Sequence, residues 1–203
     1  MFYETSVYIA DILEQQNKFA PEDKEVYRYG IQQGLNLALN ILTTIVIGVL
    51  CGMVYPSILF LVCYMPLRSF CGGYHAKTHL RCYIYSVIMI TCILLVAKYF
   101  AFNIVLYEIL VLISLIIILL LAPVEDEKKK LDNVEKRVFR KRAYIIAFLE
   151  VLLYQLFWFM HLMNCCKMIS TALFSLSILM IIGAIKNYIR RKRMNAIRTQ
   201  NIC

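Results

Sequence analysis

The sequence predicts an all-α, polytopic integral membrane protein with six transmembrane helices preceded by N-terminal interfacial helices. Two observations carry this. Of 203 residues, 61% are hydrophobic and only 17% charged, more apolar side chain than a soluble surface of this size can accommodate. The apolar residues also fall in long runs, Leu35 to Met53, Tyr83 to Lys98, Ile104 to Ala122, Ala143 to Met163 and Met168 to Ile185, each near the roughly 20 residues that cross about 30 Å of hydrocarbon as helix. The runs do not alternate apolar with polar, which excludes barrel strands.

The shorter run Tyr55 to Leu67 is ambiguous by length, and charge decides it. If it crosses, all 22 Lys and Arg residues except Lys98 and Lys167 lie on one side, as the positive-inside rule requires. If it does not, the basic stretch 125–142 moves to the outer face. Six spans with both termini cytoplasmic in a bacterial cell membrane is therefore expected. The net charge of +9 is concentrated beside spans, which points to topology and anionic membrane lipids, not nucleic acid. No cleavable signal peptide is expected, because no charged, apolar and small-residue series opens the chain.

Residues 1–34 read as cytoplasmic or interfacial helices and 35–203 as the transmembrane domain, with a basic cytoplasmic loop at 125–142. Phe2 to Leu13 suits a short interfacial helix. Pro21, followed by Glu22, Asp23 and Glu25, suits the start of a second, with Gly30 and Gly34 offering a bend before the membrane. The eight cysteines form no ligand or disulfide framework and read mostly as small packing residues. Glu108 and Glu150 lie inside apolar runs and must face an interior or an interface; Lys98 is a candidate partner for Glu108.

Chemistry concentrates between the second and third spans, in Pro66-Leu-Arg68-Ser-Phe-Cys71-Gly72-Gly73-Tyr-His75-Ala-Lys77-Thr-His79-Leu-Arg81-Cys82. Pro66 is expected to end the preceding helix, and Gly72-Gly73 to let backbones approach closely. A thiol is a weak nucleophile until a base withdraws its proton, and a helix start or nearby cation assists. Cys82 has that setting, near the start of the third span beside Lys77 and Arg81. On a continuous helix His79 touches Cys82, whereas His75 lies about 10 Å along the axis, so local geometry favours His79 as the base. A zinc site from His75, His79 and Cys82 lacks the carboxylate base of a zincin, since Ala76 stands where that pattern needs Glu. No metal and no other cofactor is expected.

Arg68, Gly72-Gly73-Tyr74-His75-Ala76 and Cys82 together resemble the accessory gene regulator B family of membrane cysteine peptidases, as do chain length, hydrophobic profile and the basic stretch between the fourth and fifth spans. The resemblance implies that His75 and Cys82 form the catalytic dyad, with Arg68, Gly72, Gly73 and His79 in support. It implies a quorum-sensing propeptide substrate with an acidic C-terminal tail: the cysteine releases the tail, holds the remainder as a thioester, and a thiolactone or lactone then closes. It further implies a homodimer working at the inner membrane face. Lys128, Lys129, Lys130, Arg140, Lys141 and Arg142 are expected to attract the tail. The alternative is a small transporter or peptide exporter, against which stands the absence of half-repeats.

Overall fold

The computed structural model describes residues 2–16, 23–73, 78–99, 103–125 and 132–200, with all their side chains except those of His79, Arg191 and residues 195–200. Among the described residues seven helices follow in chain order: α1 (Tyr3–Gln15), α2 (Lys24–Cys51), α3 (Val54–Cys71), α4 (His79–Tyr99), α5 (Ile104–Leu121), α6 (Asn133–Phe159) and α7 (Met163–Gln200). Six of them, α2 to α7, are long and apolar enough to cross a membrane. No strand is present among the described residues; the one β-like feature is a single bridge between Gly72 and Val124.

Helix α7 is the axis of the bundle. Half of its apolar window is buried, against 11–28% for the other five spans, and it packs on α3, α5 and α6. Its buried face mixes small residues with large ones: Ser170, Ala172 and Ser177 beside Leu173, Leu176 and Met180. In lipid no hydrophobic driving force separates helix from hydrocarbon, so close approach and interhelical hydrogen bonds hold such contacts. Accordingly the Ser170 hydroxyl donates to the Tyr107 carbonyl at 3.0 Å. On the periphery, Thr43 and Tyr83 share a 2.8 Å hydroxyl bond between α2 and α4.

Four local expectations are corrected. The second N-terminal helix does not stand apart: α2 runs unbroken through Gly30 and Gly34. Neither glycine has a neighbour near its Cβ position, so nothing forces a bend, and α1 folds back on the start of α2 instead. There Lys24 pairs with Asp11 at 2.8 Å and Glu14 at 2.5 Å. Pro66 does not end α3, which continues to Cys71; a proline's missing donor is tolerated within packed membrane helices. Of the stretch 125–142, residues 133–142 are helix rather than loop, because Asp132 and Glu135 form a capping box that starts α6 at Asn133. Finally, Lys98 donates to the Cys51 carbonyl at 2.7 Å rather than pairing with Glu108, and so ties the end of α4 to the end of α2.

Among the described cysteines none forms a disulfide. Cys63, Cys71, Cys165 and Cys166 are buried, in agreement with a packing role. Glu150 faces the interior, 6% exposed, and its Oε2 has no hydrogen-bond partner.

Candidate active site

The candidate site forms at the basic end of the bundle, where α3 ends, α4 begins and the α5–α6 connector turns. Helix α3 stops at Gly72, whose φ of 71° and ψ of −142° belong to a region open almost only to glycine. Its backbone lies against Val124: a Cβ there would stand 2.1 Å from the Val124 carbonyl oxygen. The Val124 N–H donates to the Cys71 carbonyl at 2.8 Å, and the Gly73 N–H donates to the Val124 carbonyl at 3.3 Å. Gly73, at φ 121°, is also closely enclosed, by the Arg68 guanidinium at 2.9 Å and the Leu179 backbone at 3.2 Å from its Cβ position. The glycine pair therefore docks the segment leading to His75 onto both the connector and α7.

Arg68 closes this dock from within α3. Its Nη1 donates to the Gly72 carbonyl, satisfying an acceptor at the helix end, and the Tyr64 hydroxyl one turn earlier is within its electrostatic reach. Its bond to Gly72 gives Arg68 a part in orienting the loop. The connector is held in turn from two other helices. Arg140 Nε donates to the Ala122 carbonyl at 3.1 Å, Lys136 pairs with Glu125 at 2.9 Å, and the Asn187 amide of α7 donates to the Glu125 carbonyl at 2.7 Å. Arg140 thus has a structural bond as well as a charge.

Cys82 sits in the first turn of α4. The Thr78 side chain accepts from the Arg81 N–H at 3.4 Å and its carbonyl from the Cys82 N–H at 3.1 Å, a threonine cap of the usual kind. The thiol is half-buried and lines a cavity of about 740 Å³ shared with Arg68 and Tyr64. The cavity follows α4 from Cys82 to Ala97 and is walled mainly by apolar side chains, among them Met89, Ile93 and Phe174. Cys71, fully buried beneath the Val124 bridge, is out of reach of any substrate in the cavity.

Arg68, Gly72, Gly73 and Cys82 are thus brought to one end of the bundle. His75, Lys128, Lys129 and Lys130 lie outside the described residues, as does the side chain of His79. The remaining basic residues divide: Arg142 stacks its guanidinium 5.4 Å from the Phe70 ring of α3, while Arg140 and Lys141 line a separate groove on the outer side of α6. Two participants were missed from sequence. Tyr64 is within electrostatic reach of Cys82, and its i, i+4 spacing from Arg68 was the available signal. Val124 carried no signal beyond following Pro123 between two apolar runs.

The model of the accessory gene regulator B family matches residues 6–185. An AgrB-like protein of Clostridium perfringens strain SM101 is 24% identical over 164 residues, covering 75% of this chain and 77% of the relative. The accessory gene regulator protein B of Staphylococcus saprophyticus is 28% identical over 144 residues, covering 70% of this chain and 75% of its own. No solved structure matches. A match across nearly the whole helical bundle, the glycine dock and Cys82 included, settles the family: this chain belongs to the accessory gene regulator B family.

Proposed function

We propose that the protein is a membrane cysteine endopeptidase that removes the acidic C-terminal tail of a quorum-sensing propeptide and promotes its cyclisation. The observation that carries this reading is the position of Cys82, half-buried in the first turn of α4, where it lines an apolar cavity together with Arg68.

In this mechanism His75 takes the Cys82 proton and the sulfur attacks the scissile carbonyl. Collapse of the tetrahedral intermediate breaks the C–N bond, and the histidine returns its proton to the departing amine of the tail. The retained half stays as a thioester on Cys82. A cysteine or serine side chain within the same peptide then attacks that carbonyl, expels the enzyme thiol and closes a thiolactone or lactone. Closure must outrun hydrolysis. An apolar cavity limits water, and an intramolecular nucleophile has a large effective concentration. The field of Lys128, Lys129, Lys130, Arg140, Lys141 and Arg142 draws an acidic tail to the basic end without requiring contact with each charge.

The test is co-expression with the cognate propeptide in a membrane host, following peptide mass with the native chain and with Cys82→Ala. Tail release is expected to vanish while membrane insertion stays normal. Undiminished release would refute a Cys82 mechanism; a transporter whose thiol only packs would behave that way.

A further inference from the structure

We propose that the outer side of α6 carries a binding site for one anionic phospholipid. The site is a groove of about 530 Å³ lined by Arg137, Arg140 and Lys141 at the basic end, and beyond them by Tyr144, Ile145, Phe148, Leu149 and Leu152. Arg137, Lys141, Tyr144, Phe148 and Leu152 follow one another at i+4 and i+3 steps, which puts them on one face of the helix. The core side of α6 is a different face, made by Ala143, Ala147, Glu150 and Tyr154.

Charge and depth both select an amphiphile with an anionic head. Three cations gather within one turn, and Arg140 is already oriented by its Nε bond to the Ala122 carbonyl, which leaves its terminal nitrogens for a phosphate. Among the described residues Arg137 and Lys141 have no ion-pair partner. The apolar part runs from Tyr144 to Leu152, eight helical rises or about 12 Å, close to the roughly 15 Å hydrocarbon depth of one leaflet. Phe148, Leu149 and Leu152 are 50–65% exposed there.

Other occupants fit less well. A second copy of the chain in the same membrane orientation, joined isologously through this face, would set these three cations against their own counterparts. A soluble acidic peptide would engage the charged third of the groove and leave the apolar two-thirds uncovered.

The experiment is native mass spectrometry of the purified full-length chain from micelles containing equal phosphatidylglycerol and phosphatidylcholine. Phosphatidylglycerol is expected to be retained preferentially, and Arg137→Gln with Lys141→Gln to weaken its retention about 30-fold, from two cations lost at the membrane surface. Both side chains are exposed, so the double variant keeps its fold, and Arg140 keeps its bond to Ala122. Leu152→Asn, which leaves every charge in place, should also weaken retention. Added glycerol 1-phosphate should not compete, since it lacks the acyl chains. Equal retention of the two lipids, retention unchanged in the double variant, displacement by glycerol phosphate, or a variant that alters only the oligomeric mass would each overturn the assignment.

Discussion

Replacing Gly72 by alanine should disable processing while leaving the bundle assembled. At φ 71° and ψ −142° an L-residue carries strain of about 1–3 kcal/mol. The added Cβ would also meet the Val124 carbonyl oxygen at 2.1 Å, a backbone atom held by its own contacts. The segment relieves both problems by leaving Val124, which breaks the Gly73-to-Val124 and Val124-to-Cys71 hydrogen bonds at about 0.5–1.5 kcal/mol each. Undocking is cheaper than unfolding, since the buried contacts among α3, α5, α6 and α7 do not pass through Gly72. The loop bearing His75 then samples many positions, and a loss of about 3 kcal/mol in preorganisation lowers tail release roughly 100-fold. Gly52→Ala is the matched control. It too has a positive φ, 67°, but nothing lies within 4 Å of its Cβ position and it joins α2 to α3 at the opposite end. Its cost is about 1–2 kcal/mol of left-handed strain, with processing unchanged. Peptide mass in co-expressing cells reads activity, and thermal unfolding of the purified protein reads stability. Native-like tail release by the Gly72 variant, or an equal loss in the Gly52 variant, would refute the reasoning.

Four further expectations follow from the same geometry. His75→Ala should cut tail release by about 100-fold or more, as for loss of a general base, and His79→Ala should retain most of it; the reverse ranking in the mass assay makes His79 the base. Arg68→Lys should lower processing about tenfold or more, because a shorter ammonium lacks the planar guanidinium fork that reaches the Gly72 carbonyl, and native-like rates would leave the arginine merely interfacial. Neutralising Lys128, Lys129, Lys130 and Arg142 together should slow processing in a reconstituted assay at low salt and matter little at high salt; a salt-independent result removes the steering role. Glu150→Leu should raise stability in thermal unfolding by about 1–3 kcal/mol, since a buried oxygen without a partner is replaced by apolar volume, whereas a fall would mean that the carboxyl has a partner in the membrane.

The spans were legible because hydrocarbon thickness imposes a length and an apolar composition on every crossing, and Tyr55 to Leu67 was resolved by charge alone. Boundaries were less so. Gly30 and Gly34 suggest a bend only if something presses on the backbone there, and that information lies in the fold of α1 against α2. The helical start of α6 was written in Asp132-x-x-Glu135, a signature overlooked beside so many basic residues. At the site, Arg68, the glycine pair and Cys82 announced themselves by residue type in an otherwise apolar context. What made the glycines necessary did not: Val124 is more than fifty residues away, and long-range backbone contacts leave no local pattern. Tyr64 looked like any aromatic on a membrane helix until the fold placed it in the cavity wall with Arg68 and Cys82.

In the proposed mechanism the depth of Cys82 answers two demands that conflict elsewhere in the molecule. A thioester survives only where water is scarce, yet a propeptide with an acidic tail cannot be drawn into hydrocarbon. One turn before Cys82 stands the polar cap, Thr78 and His79; one turn after it Ser86 lines the cavity, followed by Met89, Ile90 and Ile93. A turn is about 5.4 Å of axial rise, so in that mechanism a nucleophile four residues earlier would stand at the polar cap and one four residues later would lie deeper among the apolar cavity walls. At Cys82 the scissile bond can sit with its departing half toward the basic end and its retained half in the apolar cavity. The glycine dock matters for the same reason: a base arriving from α3 must meet the thiol at that depth, and pinning Gly72 and Gly73 to Val124 and α7 holds the origin of its loop at the boundary.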